Sequence, residues 1–339
     1  MRKRKKQARR SKLIVAVLAA AIGVGLFALY WWEKQDRGRE SQEIQARNDD
    51  LLTDPLTVYY NGRWYRLRSG IESCLIMGLD KYSERLHNLH EDAVETNLQS
   101  DFLFLTVEDR KAGSYCAIHL NRDSMVEIQR LDEGERKIDT VIEQLALSHT
   151  YGTGGKDSCR NTVRAVSRLL YDVPIDHYYA VTMDAVPVLN DMVGGVTVHI
   201  DEDLTPADPA FVEGTDVTLQ GQQALSFVRA RKGVSDGSNL SRMNRQRTFI
   251  NALYGQLSKK LESGSFALKM ANTLSDYSTS DMIPDELAQW AQRLKDERFE
   301  GILTTPGEGS RGAETGWFEF HPDEEALRKL VIERFFEPV

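Results

Sequence analysis

The sequence predicts an α/β protein, a layered α-β-α domain with a central mixed sheet, preceded by one N-terminal transmembrane helix. Three observations predict it. From residue 72 to residue 200, apolar runs of strand length alternate with segments of helical periodicity, the pattern of a sheet covered by helices. A run of twenty residues without a charge, 13 to 32 (LIVAVLAAAIGVGLFALYWW), spans roughly 30 Å as a helix, the thickness of a bilayer's hydrocarbon core. The chain has 339 residues, 41% hydrophobic and 28% charged with nine scattered prolines, so it can bury a core and is neither collagen-like nor low-complexity.

Residues 1–12 form a basic cytoplasmic tail with eight Lys/Arg and no acid, which leaves −16 on residues 13–339 out of a total of −8. A protein that binds nucleic acid over its folded part would be basic there, so that class of partner is excluded. The basic tail before the span, Glu33 and Asp36 after it, and Tyr30, Trp31 and Trp32 at its outer end give a single-pass cell-membrane topology with the N-terminus cytoplasmic and the rest extracellular. A cleaved secretory signal is the alternative. The apolar stretch is longer than the usual signal core, and bulky aromatics stand where a small-residue cleavage site belongs, which favours the uncleaved anchor.

Residues 33–56 are polar and read as a stalk. TVYYNGRWYRL (57–67) alternates apolar and polar residues around Asn61-Gly62, a two-residue hairpin signal. Beyond it come SCLIMGLD, DFLFLTV and YCAIHL as strands, an amphipathic stretch KIDTVIEQLALSH, a helix from Ser158 to Leu170 with Asp157 placed to cap it, a strand at 177–183, a helix from Asp184 to Met192 and a strand at 195–200. Helices follow at about Gly221–Arg229, Leu240–Leu261 and 264–274, and another is opened by Pro284. A strand at 299–305 and a terminal helix Glu324–Phe336 complete the chain. The expected domains are therefore a catalytic domain over 57–263 and a helical extension over 264–339 packed on it. No internal repeat is visible.

Cys74, Cys116 and Cys159 have no metal-ligand spacing and read as buried thiols, with one pair still possible. Tyr151–Lys156 is glycine-rich but fails the phosphate-loop pattern, because Asp157 follows Lys156, and it reads as a turn. GxSxG occurs once, as GVSDG at 233–237, but it follows an expected helix and not a strand, so it is not a nucleophile elbow; no HExxH and no His pair at ligand spacing occurs, which together argue against serine hydrolase and zinc peptidase chemistry.

The chemistry concentrates in two sets of residues. The first is cationic: Arg229, Arg231 and Lys232, then Arg242, Arg245 and Arg247. On the long helix Arg242, Gln246, Phe249, Ile250, Leu253 and Leu257 share one face, so Arg242 and Gln246 head an inward stripe. Two guanidiniums about 7 Å apart repel by roughly 2 kcal/mol at an effective dielectric near 20. Several converging near a helix N-terminus suit a phosphate, which Arg grips bidentately. The plainer reading is that Arg229, Arg231 and Arg245 pair with acids at the surface. The second set is acidic. Asp80 ends one strand, Asp101 begins the next and Arg122-Asp123 follow the third, where α/β sheets collect ligands. Such carboxylates can hold Mg²⁺, which takes one or two of them with phosphate oxygens; ordinary turn chemistry is the alternative for each alone. Together the sets fit a pyrophosphate flanked by cations and a metal.

The run DHYYAVTMDAVPVLNDMVGGVTVHIDEDL (176–204), then LQGQQALSFVRARK and RMNRQR, with IMGLD, QSDFLFLTV and HLNRDSMV upstream, resembles the LytR-CpsA-Psr proteins of Gram-positive cell envelopes over about residues 72–262. The resemblance implies a single-span membrane enzyme with an extracellular α/β domain. Such an enzyme moves a glycopolymer, teichoic acid or capsule, from a polyprenyl-pyrophosphate carrier in the membrane lipid to a peptidoglycan acceptor, forming a phosphodiester. It implies Asp80 and Asp101 as ligands of Mg²⁺ (or Mn²⁺), and Arg122 on the pyrophosphate beside Asp123. Arg229 and Arg231 match the VRxR pair, and Arg242 and Gln246 the outer positions of RxxRQ. Arg122, Asp123, Arg229 and Arg231 are thus the catalytic candidates, with Arg242 and Gln246 added for substrate binding. Gln144 stands where many relatives have a lysine, so that one phosphate contact is either missing or supplied by Lys137. Asn239-Leu240-Ser241 replace an acid and Gly before the first arginine of RxxRQ, with Asp236 expected to compensate. The apolar residues of 181–193 and of the long helix suit the lining of a groove for the lipid and are equally what an ordinary core would need. Asp101 or Asp123 would take the acceptor's proton; water in place of the acceptor would make a pyrophosphatase, and a non-catalytic lipid-linked-glycan binding or scaffold protein is the remaining alternative.

Overall fold

The computed structural model describes residues 56–81, 98–132, 134–231, 233–234, 238–313 and 316–339, and the expected tail, span, all but the last residue of the stalk, and Asp236 lie outside them. Among the described residues no helix is long and apolar enough to cross a membrane. The chain divides into two compact units, one of residues up to Leu67 with Pro338–Val339 and one of Arg68–Glu337.

In the first unit β1 (Thr57–Tyr60) and β2 (Arg63–Leu67) pair antiparallel, with Tyr59 opposite Trp64. Asn61 and Gly62 turn the chain at φ 48° and 80°, the left-handed pair that a two-residue hairpin needs.

In the second unit β3 (Ile71–Lys81), β4 (Leu98–Asp109) and β5 (Ser114–Leu120) form an antiparallel meander. Next come β6 (Met125–Leu131) and β7 (Lys137–Gln144), a separate antiparallel pair, and a 3₁₀ turn at Leu145–Ser148. The expected amphipathic stretch is therefore a strand joined to a tight turn. Helix α1 (Gly155–Leu169) begins earlier than expected. Asp157 sits inside its first turn and accepts from the Thr153 backbone N–H at 2.9 Å, so it ties the glycine-rich turn down from within the helix. β8 (His177–Thr182), α2 (Ala185–Val193), β9 (Thr197–His199), β10 (Asp216–Thr218), α3 (Gln222–Arg229) and α4 (Asn239–Lys260) follow. Ser238 caps α4 by accepting from the Ser241 N–H at 3.1 Å.

The remaining elements are α5 (Gly264–Leu274), β11 (Ser278–Ser280), α6 (Pro284–Asp296), β12 (Arg298–Thr304), the β13–β14 hairpin (Gly307–Arg311 and Phe318–Pro322) and α7 (Glu324–Phe335). Two of them correct the expected division at residue 263. β11 pairs antiparallel with β8 and β12 pairs parallel with β5, so the central sheet runs β11-β8-β3-β4-β5-β12 and takes both edge strands from the supposed extension. With β8 parallel to β3, the sheet is mixed, as expected. Every residue of β5 is buried, and β4 is buried on both faces over 103–108; only a sheet covered on both sides has such strands. On one face Phe102 and Met183 pack with Val193, Val228, Phe249 and Leu253 of α2, α3 and α4 in one core.

Candidate active site

β3 and β5 run in the same direction with β4 antiparallel between them. The end of β3, the start of β4 and the turn after β5 therefore meet at one end of the sheet, the end at which open α/β sheets bind ligands. Asp80, Asp101 and Arg122-Asp123 occupy those three places. The register of β4 on β5 pairs Leu103 with Leu120, and continuing it by two residues sets Asp101 opposite Arg122. On its other side β4 carries an irregularity: Gly78 faces Phe102 while Leu79 faces Ser100, so Asp101 is an extra residue. Such a bulge re-aims its side chain. Here the carboxylate reaches both Arg122 on the sheet and Arg242 on α4.

The contacts form one network. Arg122 is ion-paired to Asp101, and Arg242 Nη1 lies 3.2 Å from Asp101 Oδ2. Arg122 Nε also donates to Asp123 Oδ1 at 3.3 Å. Arg229, the last residue of α3, is ion-paired to Asp80. Asn239 bridges helix and sheet: its amide donates to Asn121 Oδ1 at 2.9 Å and its carbonyl oxygen accepts from Arg242 Nη2 at 2.7 Å. Asn121 in turn accepts from the Asp123 N–H at 3.0 Å. The Gln144 amide donates to Asp123 Oδ1 at 3.3 Å and to the Phe318 carbonyl at 2.5 Å, tying the β13–β14 hairpin to the same carboxylate. Asp123 Oδ2, Arg242 Nε and Gln246 Oε1 are buried without a hydrogen-bond partner. Polar atoms left so inside a protein are costly and call for an explanation, which a ligand supplies.

Burial and neighbouring cations shape the electrostatics. Burial first, then the Arg242 charge, holds the Arg122 guanidinium down to about 10. Arg242 is likewise held to about 10 by burial and then by Arg231, which is thus electrostatically close to both. Both remain charged at neutral pH, and a polyanion between them would relieve what burial and repulsion cost. Beneath them His119 packs against Phe102 and Phe104 at ring distances of 5.0 and 5.9 Å, and burial lowers it to about 3. A neutral imidazole there does not add to the cationic charge.

The structure thus gathers Asp80, Asp101, Arg122, Asp123, Arg229, Arg231 and Arg242. Gln246 is one turn further along α4, buried, donating to the Val228 carbonyl at 3.4 Å. Two expectations are corrected. Lys137 is at the opposite end of β7 from Gln144, roughly 23 Å away at the rise of a strand, so it does not stand in for the lysine. Arg245 is not a surface pair: it is buried, ion-paired to Glu202 and donates to the Ala230 carbonyl and, at 2.7 Å, to Ser241 Oγ, fixing the connection between α3 and α4. Of the two readings open for the apolar residues of 181–193 and the long helix, groove or core, the core takes Met183, Val193, Phe249 and Leu253, which are buried. Sequence reasoning noted Asn239 and Gln144 only as departures and did not see Asn121; an Asn two residues before an Asp that it anchors is a visible local signal. Cys74, Cys116 and Cys159 are free and buried.

Among the described residues no group of three or more His, Cys, Asp or Glu gathers to hold a metal. The donor set present is two carboxylates on neighbouring strands, each already engaged by arginine. That set fits Mg²⁺, which completes its shell with phosphate oxygens and water.

A family model described as the LytR_cpsA_psr family matches residues 34–333. The polyisoprenyl-teichoic acid–peptidoglycan teichoic acid transferase TagU of Bacillus cereus (strain AH820) is 28% identical over 228 residues, 66% of this chain and 69% of that protein. The TagU of Bacillus subtilis (strain 168) is 23% identical over 346 residues, 98% of this chain and 96% of its own. A solved structure, TagT bound to LI-WTA, shares the fold with a TM-score of 0.58 at 19% identity, covering 78% of this chain and 89% of that one.

Proposed function

The chain belongs to the LytR-CpsA-Psr family, and from that premise we propose that it is a membrane-anchored extracellular phosphotransferase. It takes a glycopolymer from a polyprenyl-pyrophosphate carrier and joins it to peptidoglycan through a phosphodiester. The observation that carries the proposal is the convergence of Arg122, Arg229, Arg231 and Arg242 with Asp80, Asp101 and Asp123 at the ligand-binding end of the sheet. Relatives that act on polyisoprenyl-linked teichoic acid support the substrate class.

In this reading the arginines exchange their carboxylate partners for pyrophosphate oxygens. Arg122 and Arg242 hold the buried side of the diphosphate, while Arg229, half-exposed, follows the oxygens at the mouth. Asp80 and Asp101, released from their arginines, are the residues that would hold Mg²⁺, which supplies neutralisation of charge on the phosphates. A peptidoglycan hydroxyl attacks the phosphorus that carries the glycopolymer. The new O–P bond forms as the anhydride P–O bond breaks, and polyprenyl phosphate leaves with the bonding electrons. The hydroxyl's proton passes to a carboxylate. Asp123 suits that role better than Asp101, because Arg122 and Gln144 both hold its Oδ1 and leave Oδ2 without a partner.

Full-length protein in vesicles, given a polyprenyl-pyrophosphate glycan labelled in the sugar, a peptidoglycan oligomer and Mg²⁺, tests the proposal. Transfer gives lipid monophosphate together with labelled acceptor. Lipid monophosphate with an unlabelled acceptor would make the protein a hydrolase, and release of neither would refute a catalytic role.

A further inference from the structure

The β1–β2 hairpin carries a surface that the chemistry above does not use. Its two faces differ. Val58, Tyr60 and Tyr65 on one side are half-buried, whereas Thr57, Tyr59, Trp64 and Arg66 on the other are exposed. Tyr59 and Trp64 are 61% and 56% exposed, and as direct cross-strand partners their rings pack 5.3 Å apart. Large aromatics held together in water need a reason. Arg66 stands on this exposed face, while Arg63, opposite Tyr60, is exposed on the other face beside the turn; residues 57–67 carry these two arginines and no acid in a part of the chain whose net charge is −16.

We propose that this face of the hairpin rests on the anionic headgroups of the membrane's outer leaflet. Trp and Tyr favour the headgroup layer, where an apolar ring body and a polar tip are both accommodated. Arg66 on the same face meets the lipid phosphates, at about 1 kcal/mol near an anionic surface. Charge complementarity chooses the occupant: a strongly acidic body is repelled by an anionic bilayer everywhere except where its own surface is basic. Connectivity agrees, because the hairpin is the first described element after the expected span, with only residues 33–56 between them. The inference rests on the anchored reading, since it is the span that brings the hairpin to the lipid.

The test uses the full chain carrying Thr57→Cys, labelled with a nitroxide; the native cysteines are buried and escape the reagent. The protein is reconstituted in vesicles of phosphatidylcholine alone or with phosphatidylglycerol added, and relaxation by oxygen is compared with relaxation by an aqueous nickel chelate. The expected result is a label at headgroup depth in the anionic vesicles, with a Glu262→Cys label, at an exposed position of the second unit, staying aqueous. Arg66→Gln should lower the docked-to-free ratio about fivefold at low salt, Arg63→Gln on the opposite face should lower it less, and Tyr59→Ala with Trp64→Ala should abolish docking. A Thr57 label equally aqueous in both vesicle types would overturn the inference, as would protection by a peptidoglycan fragment instead of by lipid, or a chain that fails to float with vesicles. Polymer transfer measured on the same vesicles separates the two readings: active protein with an aqueous hairpin loses only this inference, and an inactive protein with a docked hairpin loses only the transferase.

Discussion

Asp101→Asn is the most informative single change, because one carboxylate neutralises two buried guanidiniums. Asp101, Arg122 and Arg242 have side chains only 15%, 12% and 8% exposed. At about 4 Å and an effective dielectric near 20, each attraction is worth about 4 kcal/mol before desolvation, and two guanidiniums about 7 Å apart repel by roughly 2 kcal/mol. Asparagine keeps the shape but removes the attraction and leaves the repulsion, so the loss should match that of breaking a buried ion pair, about 3–5 kcal/mol. At about 2–4 °C per kcal/mol for a unit of this size, the melting temperature should fall by roughly 6–20 °C. Inorganic pyrophosphate should then act as a replacement counter-ion. In metal-free buffer it should raise the melting temperature of Asp101→Asn more than that of the unaltered protein. The assay is thermal unfolding by circular dichroism with and without pyrophosphate, which needs no turnover. A variant that melts within a degree of the parent and shows no larger pyrophosphate shift would refute the reasoning.

Arg229→Ala should behave in the opposite way: half-exposed, with a pair worth less than about 1 kcal/mol, it should lose polymer transfer while the melting temperature stays within a few degrees. His119 is neutral in the fold because burial lowers it to about 3 from an unfolded value near 6.5, so the stability it allows is present above pH 6.5 and lost as the pH falls toward 3. His119→Asn should therefore show a shallower decline of melting temperature between pH 6.5 and 4. Glu297 runs the other way: burial and then the Glu108 charge raise it to about 7, so its stabilising contribution is complete below pH 4.5 and lost as the pH rises through 7. Glu297→Gln should melt above the parent at pH 8, with the difference closing by pH 4.5.

What the sequence revealed and what it hid follow from the range of the interactions. Helical periodicity alone set Arg242 and Gln246 on an inward face, because residues three and four apart share a face whatever packs against them, and both are buried. Strand ends were equally readable: Asp80, Asp101 and Arg122 each border an apolar run, and sheet geometry brings such borders together. The hidden features are all relations between distant segments. Nothing local distinguishes Asp101 as an extra residue, since a bulge is defined by the partner strand. Gln144 could be seen only as a substitution until the Phe318 carbonyl, 174 residues later, supplied its second acceptor. β11 was missed because three residues, Ser278–Ser280, are too short for a period-two pattern to register.

The parallel strand β12 also governs when the molecule can be complete. Its partner β5 is made of residues 114–120, yet β12 arrives only with residues 298–304. On the ribosome, more than 170 further residues must be synthesised before the outer edge of the sheet is covered. Until then a strand that the finished fold buries along its whole length offers its free backbone groups to any neighbour, the circumstance in which nascent chains stick to one another. A C-terminal truncation before residue 298 would make that interval permanent, so shortened versions of this protein should be recovered as aggregates even though every proposed catalytic residue is present in them.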